Sequence, residues 1–266
     1  MEHTNSSHWQ KQGSKPLFPD LVWSRPENRA HAGKLLVVGG HAQSFAAPAE
    51  AYGEATKAGI GTARVLLPDA LQKTVSKLFP AAEFAPSNPS GGFARAGLGE
   101  LLAMTEWADG VLLAGDFGRN SETAILLESF LSKSDVMVTI TKDAMDYFTA
   151  APAPLLIREN LTLVLSFAQL QKFATQVHFS RAFTFDMDLI RLVDTLHEFT
   201  TKHHLHIITK HLDTIFVAVN GQVSSTQLAQ NKDIWRLKTA AAASVWWLQN
   251  PDKPFEALTT SLVEQS

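Results

Sequence analysis

Lys34 to Gly61 runs KLLVVGGHAQSFAAPAEAYGEATKAGIG, and its punctuation decides the fold. Leu35–Val38 is a continuous apolar run, the pattern of a strand buried on both faces. Gly39-Gly40 closes it. After Pro48 an alanine-rich helix reaches about Ala58, Gly59-Ile60-Gly61 stops it, and Thr62–Leu67 reads as the next strand. Outward from there the alternation repeats. Val111–Ala114, Val136–Ile140 and Leu161–Leu165 are further strands, with helices expected near Ser121–Leu131 and Asp143–Phe148. Such alternation predicts an α/β fold with a central, mostly parallel sheet and helices on both faces.

The last third has another rhythm. Asp186–Lys202 is helical by its spacing of Leu189, Ile190, Val193, Leu196 and Phe199. Ile207–Thr209, Thr214–Val219 and Gln222–Gln227 are β-rich, and Asn220-Gly221 between the last two is a hairpin signal. An antiparallel extension of the sheet is therefore expected near the C-terminus. Thr239–Asn250 and Pro254–Glu264 finish as helices, separated at Asn250-Pro251.

At 266 residues, 45% of them apolar and 18% charged, the chain is an ordinary globular one, which excludes disorder, collagen and polytopic membrane classes. A formal charge of −3 offers no electrostatic footprint for nucleic acid. The absence of cysteine excludes disulfides, thiolate metal sites and cysteine nucleophiles. Met1–Pro19 is polar and has no apolar signal region, and no later run is long and uncharged enough to span a bilayer. A cytoplasmic protein with no membrane or nucleic-acid partner is expected. Residues 1–20 are expected as a flexible polar tail and 21–266 as a single α/β domain.

Two glycines between a strand and a helix bring backbone N–H groups within reach of an anion. Their spacing to later motifs carries more. Gly39-Gly40, Ala46-Ala47-Pro48 and Ala58-Gly59-Ile60-Gly61 resemble the opening of the ADP/ATP-dependent NAD(P)H-hydrate dehydratases, a branch of the ribokinase-like superfamily. There a strand ends in Gly-Gly-Ser, Gly-Ala-Pro starts a helix and Ala-Gly-x-Gly ends it; His41 replaces the serine here and Ala46 a glycine. Later segments keep the family's order. Ala114-Gly115-Asp116-Phe117-Gly118 resembles its Gly-Pro-Gly-Leu-Gly loop, and Thr141–Met145 its Asp-Ala-Asp-Ala-Leu strand end, with Asp143 retained. Lys210-His211-Leu212-Asp213-Thr214 resembles its nucleotide-proximal Lys-Gly-x-x-Thr. The resemblance spans about Gly33 to Val263. It implies a ribokinase-like fold, ADP or ATP with Mg²⁺, and hydrated NADH or NADPH as substrate. By the same resemblance, Gly39, Gly40, Ala47 and Pro48 face the hydrate, Gly115 and Gly118 approach phosphate, and Asp143, Lys210 and Thr214 are polar participants.

The departures bear on chemistry. The superfamily's Gly-Ser-Gly-Asp turn stabilises the transferring phosphoryl group on backbone amides and supplies the base. Its counterpart here is Thr239-Ala240-Ala241-Ala242-Ala243-Ser244, with neither glycine nor aspartate, and the nearest preceding carboxylate is Asp233. Leu165–Leu170 matches the family's Thr-Pro-His-x-Gly-Glu without its histidine and glutamate. The resemblance implies a lyase that repairs nicotinamide nucleotides; the alternative is a catalytically inactive pseudoenzyme that senses a ligand or assembles, for example as a homo-oligomer. A sugar or vitamin kinase fits less well, since it needs the same aspartate and lacks the Ala-Pro frame.

Each residue also has a plain structural reading. Asp143 caps the helix that follows it, Asp116 is a turn residue, Lys210 is a solvated charge and Thr214 an ordinary strand position. His197, His203, His204, His206 and His211 have no carboxylate at ligand spacing, so a solvated helix terminus is expected rather than a metal site. Trp246-Trp247 reads as core or subunit interface.

Overall fold

The computed structural model describes residues 7–227 and 235–263. β1 (Trp9–Gln12) and α1 (Pro19–Trp23) precede β2 (Lys34–Gly39), α2 (Ala46–Lys57) and β3 (Thr62–Pro68). The one-turn helix α3 (Gln72–Val75), β4 (Ala82–Ala85) and α4 (Leu98–Trp107) lead to β5 (Gly110–Gly115), α5 (Ser121–Lys133) and β6 (Met137–Thr141). Next come α6 (Ala144–Thr149), α7 (Ala153–Leu156), β7 (Leu161–Leu165), α8 (Phe167–Gln176) and α9 (Leu189–His203). β8 (His206–His211), β9 (Thr214–Val219) and β10 (Gln222–Gln227) precede α10 (Trp235–Gln249) and α11 (Pro254–Thr260).

The strands make one ten-stranded sheet in the order β1-β10-β9-β8-β7-β6-β5-β2-β3-β4. Neighbours from β4 through β8 are parallel, whereas β9 is antiparallel to both β8 and β10. Asn220 and Gly221 link β9 to β10 with φ of 47° and 82°, the left-handed backbone that a two-residue hairpin needs. The mostly parallel α/β sheet with a C-terminal antiparallel hairpin is therefore as the sequence leads one to expect.

Side chains alternate across the sheet. Leu36, Val38, Leu113, Ile140 and Leu163 face a layer formed by α4 to α9. Leu35, Val37, Leu112, Val164 and Ile208 face α2, α3, α10 and α11. α10 packs against α2, which explains its alanines: small side chains let two helices and a sheet approach closely. One core on each face of a continuous sheet holds the described chain together.

Of the expected tail, residues 7–20 are described, and part of that stretch is built into the sheet. Trp9–Gln12 adds a strand parallel to β10, with Trp9 opposite Val223 and Gln12 opposite Thr226. The Trp9 indole donates to Ser225 Oγ (3.0 Å), and the buried Gln12 amide donates to Thr226 Oγ1 (3.1 Å) and the Thr259 carbonyl (2.7 Å). Alternating polar residues pair here because β10 offers an unfilled ladder edge.

Candidate functional site

All the parallel strands end on one side of the sheet, where open α/β sheets take their ligands. The two glycine turns meet there, since β2 and β5 are adjacent and Gly39 lies opposite Gly115. A Cβ on Gly39 would run into the Gly115 carbonyl, and Gly40, at φ 97°, donates its N–H to that same carbonyl (3.0 Å). Gly39, Gly40, Ala47 and Pro48 are all buried. They bring β2, β5 and α2 into close contact beneath the crevice rather than lining open space, so the hydrate-facing role implied for them has no exposed surface behind it.

Two carboxylates take up backbone amides at these turns. Asp116 Oδ2 accepts from the Ala47 N–H in the first turn of α2 (2.8 Å) and from Ser44 Oγ (2.7 Å), while Lys142 Nζ stands 3.6 Å from Oδ1. Phe45, at the N-cap position of α2, makes no capping bond, so Asp116 caps that helix from another segment. Asp143 likewise follows β6 and precedes α6, yet its side chain does not cap α6. Its two oxygens accept from the N–H groups of Asp116 (2.8 Å) and Phe117 (2.9 Å). The plain helix-cap reading of Asp143 is thereby corrected: the carboxylate reaches across to the Gly115–Gly118 loop. Asp116 and Lys142 both have left-handed backbone, at φ of 61° and 54°, held by this exchange.

Environment drives the two carboxyls apart. Burial pushes Asp116 up, but the Ala47 and Ser44 hydrogen bonds and the Lys142 charge outweigh it and leave its pKa below the ordinary carboxyl value. Burial dominates at Asp143 and holds its pKa above that value, despite the two amides, with the Asp116 charge adding to the rise. Amide donors that could cradle a phosphate are thus already used by the chain's own carboxylates. A nucleotide triphosphate with Mg²⁺ fits this loop poorly.

Beside the loop, Gln169 ties three elements together. The side chain is buried; Nε2 donates to the Lys142 carbonyl (2.8 Å) and Asp146 Oδ1 (2.9 Å), and Oε1 accepts from Arg236 (3.1 Å). It also completes a capping box with Ser166 at the start of α8. Arg236 in the first described turn of α10 therefore lies at the carboxyl edge. The other end of α10 is at the opposite edge, where Gln249 donates to the carbonyls of Ala32 (3.2 Å) and Gly59 (3.0 Å).

This corrects the expected catalytic turn. Thr239, Ala240, Ala241, Ala242 and Ala243 are not a helix start but the buried interior of α10, described from Trp235. From Thr239 onward each amide is taken by a carbonyl four residues back, so no anion nest forms there. Asp233 lies outside the described residues. Lys210 and Thr214, both half-buried at the β8–β9 turn, are also separated: Lys210 pairs with Ile215 and Thr214 with His211. Cross-strand partners share a face; Ile215 faces the layer that holds α10 and α11, while His211 packs on Phe167 of α8 at 4.7 Å. The two side chains leave the hairpin on opposite faces and do not converge.

The histidines scatter too. His197 stacks on His8 at 4.0 Å, His204 is exposed, and His206 is buried beside Trp247 and Thr162, where burial lowers its pKa to about 4. Among the described residues no group of three His, Cys, Asp or Glu side chains could hold a metal ion. Trp246 and Trp247 are core.

A cavity of ≈720 Å³ opens next to the crevice, between loop 118–120, α6 and α8. Gly118, Arg119, Asp143, Asp146, Tyr147 and Lys172 are among the residues lining it. Tyr147 Oη donates to the Gly118 carbonyl (2.8 Å) and so fixes the loop against α6. Arg119 and Lys172 carry no motif signature, and sequence reasoning missed them; Gln169 was legible through Ser166-x-x-Gln169.

No protein-family model matches the chain, and no curated protein sequence matches it. Solved structures do. A ribokinase-like superfamily protein from Enterococcus faecalis superposes with a TM-score of 0.72 at 14% identity, covering 99% of this chain and 88% of that one. The ADP/ATP-dependent NAD(P)H-hydrate dehydratase of Bacillus subtilis, co-crystallised with ATP and Mg²⁺, gives 0.65 at 12% identity over 93% of this chain and 86% of its own. A phosphomethylpyrimidine kinase from Clostridium difficile gives 0.55 at 9% identity over 88% of this chain and 100% of its own. The chain has the ribokinase-like fold. Among the described residues no helix is long and apolar enough to cross a membrane.

Proposed function

We propose that this chain is a divergent ribokinase-like protein of the NAD(P)H-hydrate dehydratase type that binds a nucleotide metabolite at the carboxyl edge of its sheet and has lost phosphoryl-transfer turnover. The observation that carries the reading is the occupation of the Ala47, Asp116 and Phe117 amides by Asp116 and Asp143. Phosphoryl transfer depends on preorganised donors aimed at developing negative charge; one such donor is worth roughly 2.7–4 kcal/mol. Here the loop donors face carboxylates, and the alanine run has none to offer. Ligand sensing in the cytoplasm, as a pseudoenzyme, fits this arrangement.

One observation favours a second reading, an active dehydratase that restores hydrated NADH or NADPH with ADP or ATP and Mg²⁺. α10 still points its N-terminal end at the carboxyl edge, with Arg236 beside Gln169. The positive end of a helix there suits an anion. The deciding experiment incubates purified protein with hydrated NADH, ADP or ATP, and Mg²⁺ while following NADH absorbance. No rate above the uncatalysed control is expected, together with a ligand-induced rise in melting temperature. Restored NADH that disappears in Asp233→Asn would overturn the inactive reading.

A further inference from the structure

The cavity beside the crevice contains four charged groups, and their partners are unevenly distributed. Both carboxylates are satisfied from within the chain: Asp143 by the Asp116 and Phe117 amides, Asp146 by Gln169 Nε2 at 2.9 Å. Neither cation is. Arg119 and Lys172 are exposed at the rim, and among the described residues neither has a hydrogen-bond or ion-pair acceptor. Two other cations at this edge are engaged, Lys142 with Asp116 and Arg236 with Gln169.

The local backbone adds a positive contribution beside the two cations. α5 starts at Ser121 directly after the loop, so its positive end borders the cavity. Asn120 caps it by accepting from the Glu122 N–H (2.8 Å). The acidic side chain of Glu122 turns away, accepting from the Arg95 N–H at 3.2 Å. A cavity of ≈720 Å³ is also the right size for a nucleotide-sized molecule.

We propose that the cleft between loop 118–120, α6 and α8 binds the phosphate end of an organic phosphate, a nucleotide or nucleotide sugar, through Arg119 and Lys172. The assignment rests on the ligand-binding reading above and sharpens it: the anion is held to the side of the crevice by side-chain cations, not over the Gly115–Gly118 amides. Recognition by two side-chain cations needs no metal, and it is salt-dependent, as exposed charge pairs are.

Isothermal titration tests it with ADP-ribose, inorganic phosphate and adenosine as probes, against wild type and an Arg119→Ala/Lys172→Ala double variant. Both side chains are exposed, so the variant should unfold at the wild-type temperature. ADP-ribose should bind wild type more tightly than inorganic phosphate does, equally well with EDTA, and about 100-fold more weakly in the double variant, roughly tenfold for each charge. Adenosine should bind both proteins alike. An Arg119→Lys/Lys172→Arg exchange should recover most of the affinity. Unchanged ADP-ribose affinity in the alanine variant overturns the cleft assignment and leaves nucleotide binding standing. Equal affinity for inorganic phosphate and ADP-ribose overturns the organic-phosphate part. No binding of any probe to wild type overturns the cleft and the ligand-binding reading together.

Discussion

Asp116 shows how one side chain can complete a helix start from another segment of the chain. Its carboxylate supplies the negative charge that the first turn of α2 would otherwise take from an anion. Its pKa is depressed, so its stabilising contribution is fully present above the unfolded carboxyl value of 3.8 and is lost as pH falls through the lower folded value. Asn tolerates the left-handed backbone at this position and can still accept one bond, but it loses the charge facing Lys142. Asp116→Asn should therefore cost about 1–2 kcal/mol at pH 7, and the gap to wild type should close in acid. Urea denaturation at pH 7 and pH 3 measures both; a gap that widens in acid would contradict the capping role. Little of this was legible in the sequence. Nothing in its neighbours shows that the acceptor would reach back to Ala47.

At the level of the element, α10 is where sequence and structure part most clearly. An alanine run reads equally well as a degraded turn or as a helix interior, and propensity favours the second. Packing settles the matter, because Ala240, Ala241 and Ala243 are wholly buried against α2 and the sheet. Ala240→Gly with Ala242→Gly should therefore lower stability by about 2 kcal/mol, near 1 for each glycine, and should bring no dehydratase activity. Guanidinium denaturation and the NADH assay check the two halves. A variant as stable as wild type would return these residues to a turn. α8 and α4 were not read from the sequence at all, although Ser166-x-x-Gln169 announces the start of α8. β4 was missed for a different reason: Ala82–Ala85 is short and half-exposed, so it lacks the continuous apolar run of its neighbours.

Across the whole molecule, the parallel strands were legible because both of their faces are buried, and the hairpin because Asn-Gly allows few other conformations. β1 was not, since its pattern is polar and its partner lies far along the chain. Removing residues 1–13 should bare the ladder edge of β10 and strand Thr226 and the Thr259 carbonyl without the Gln12 amide. A loss of roughly 2–4 kcal/mol and a rise in self-association are expected, read by denaturation and light scattering. An unaltered midpoint would mean that β1 adds no stability. The same pairing has a consequence in time. Trp9 and its hydrogen-bond partner Ser225 are separated by 216 positions. At roughly 5–20 residues per second, a ribosome takes about 10–40 s to travel from one to the other. Throughout that interval Trp9–Gln12 has no ladder to join, and it enters the sheet only after β10 is made. A nascent chain stalled before residue 222 should leave its N-terminal segment open to proteases or chaperones, whatever the rest of the sheet has already achieved.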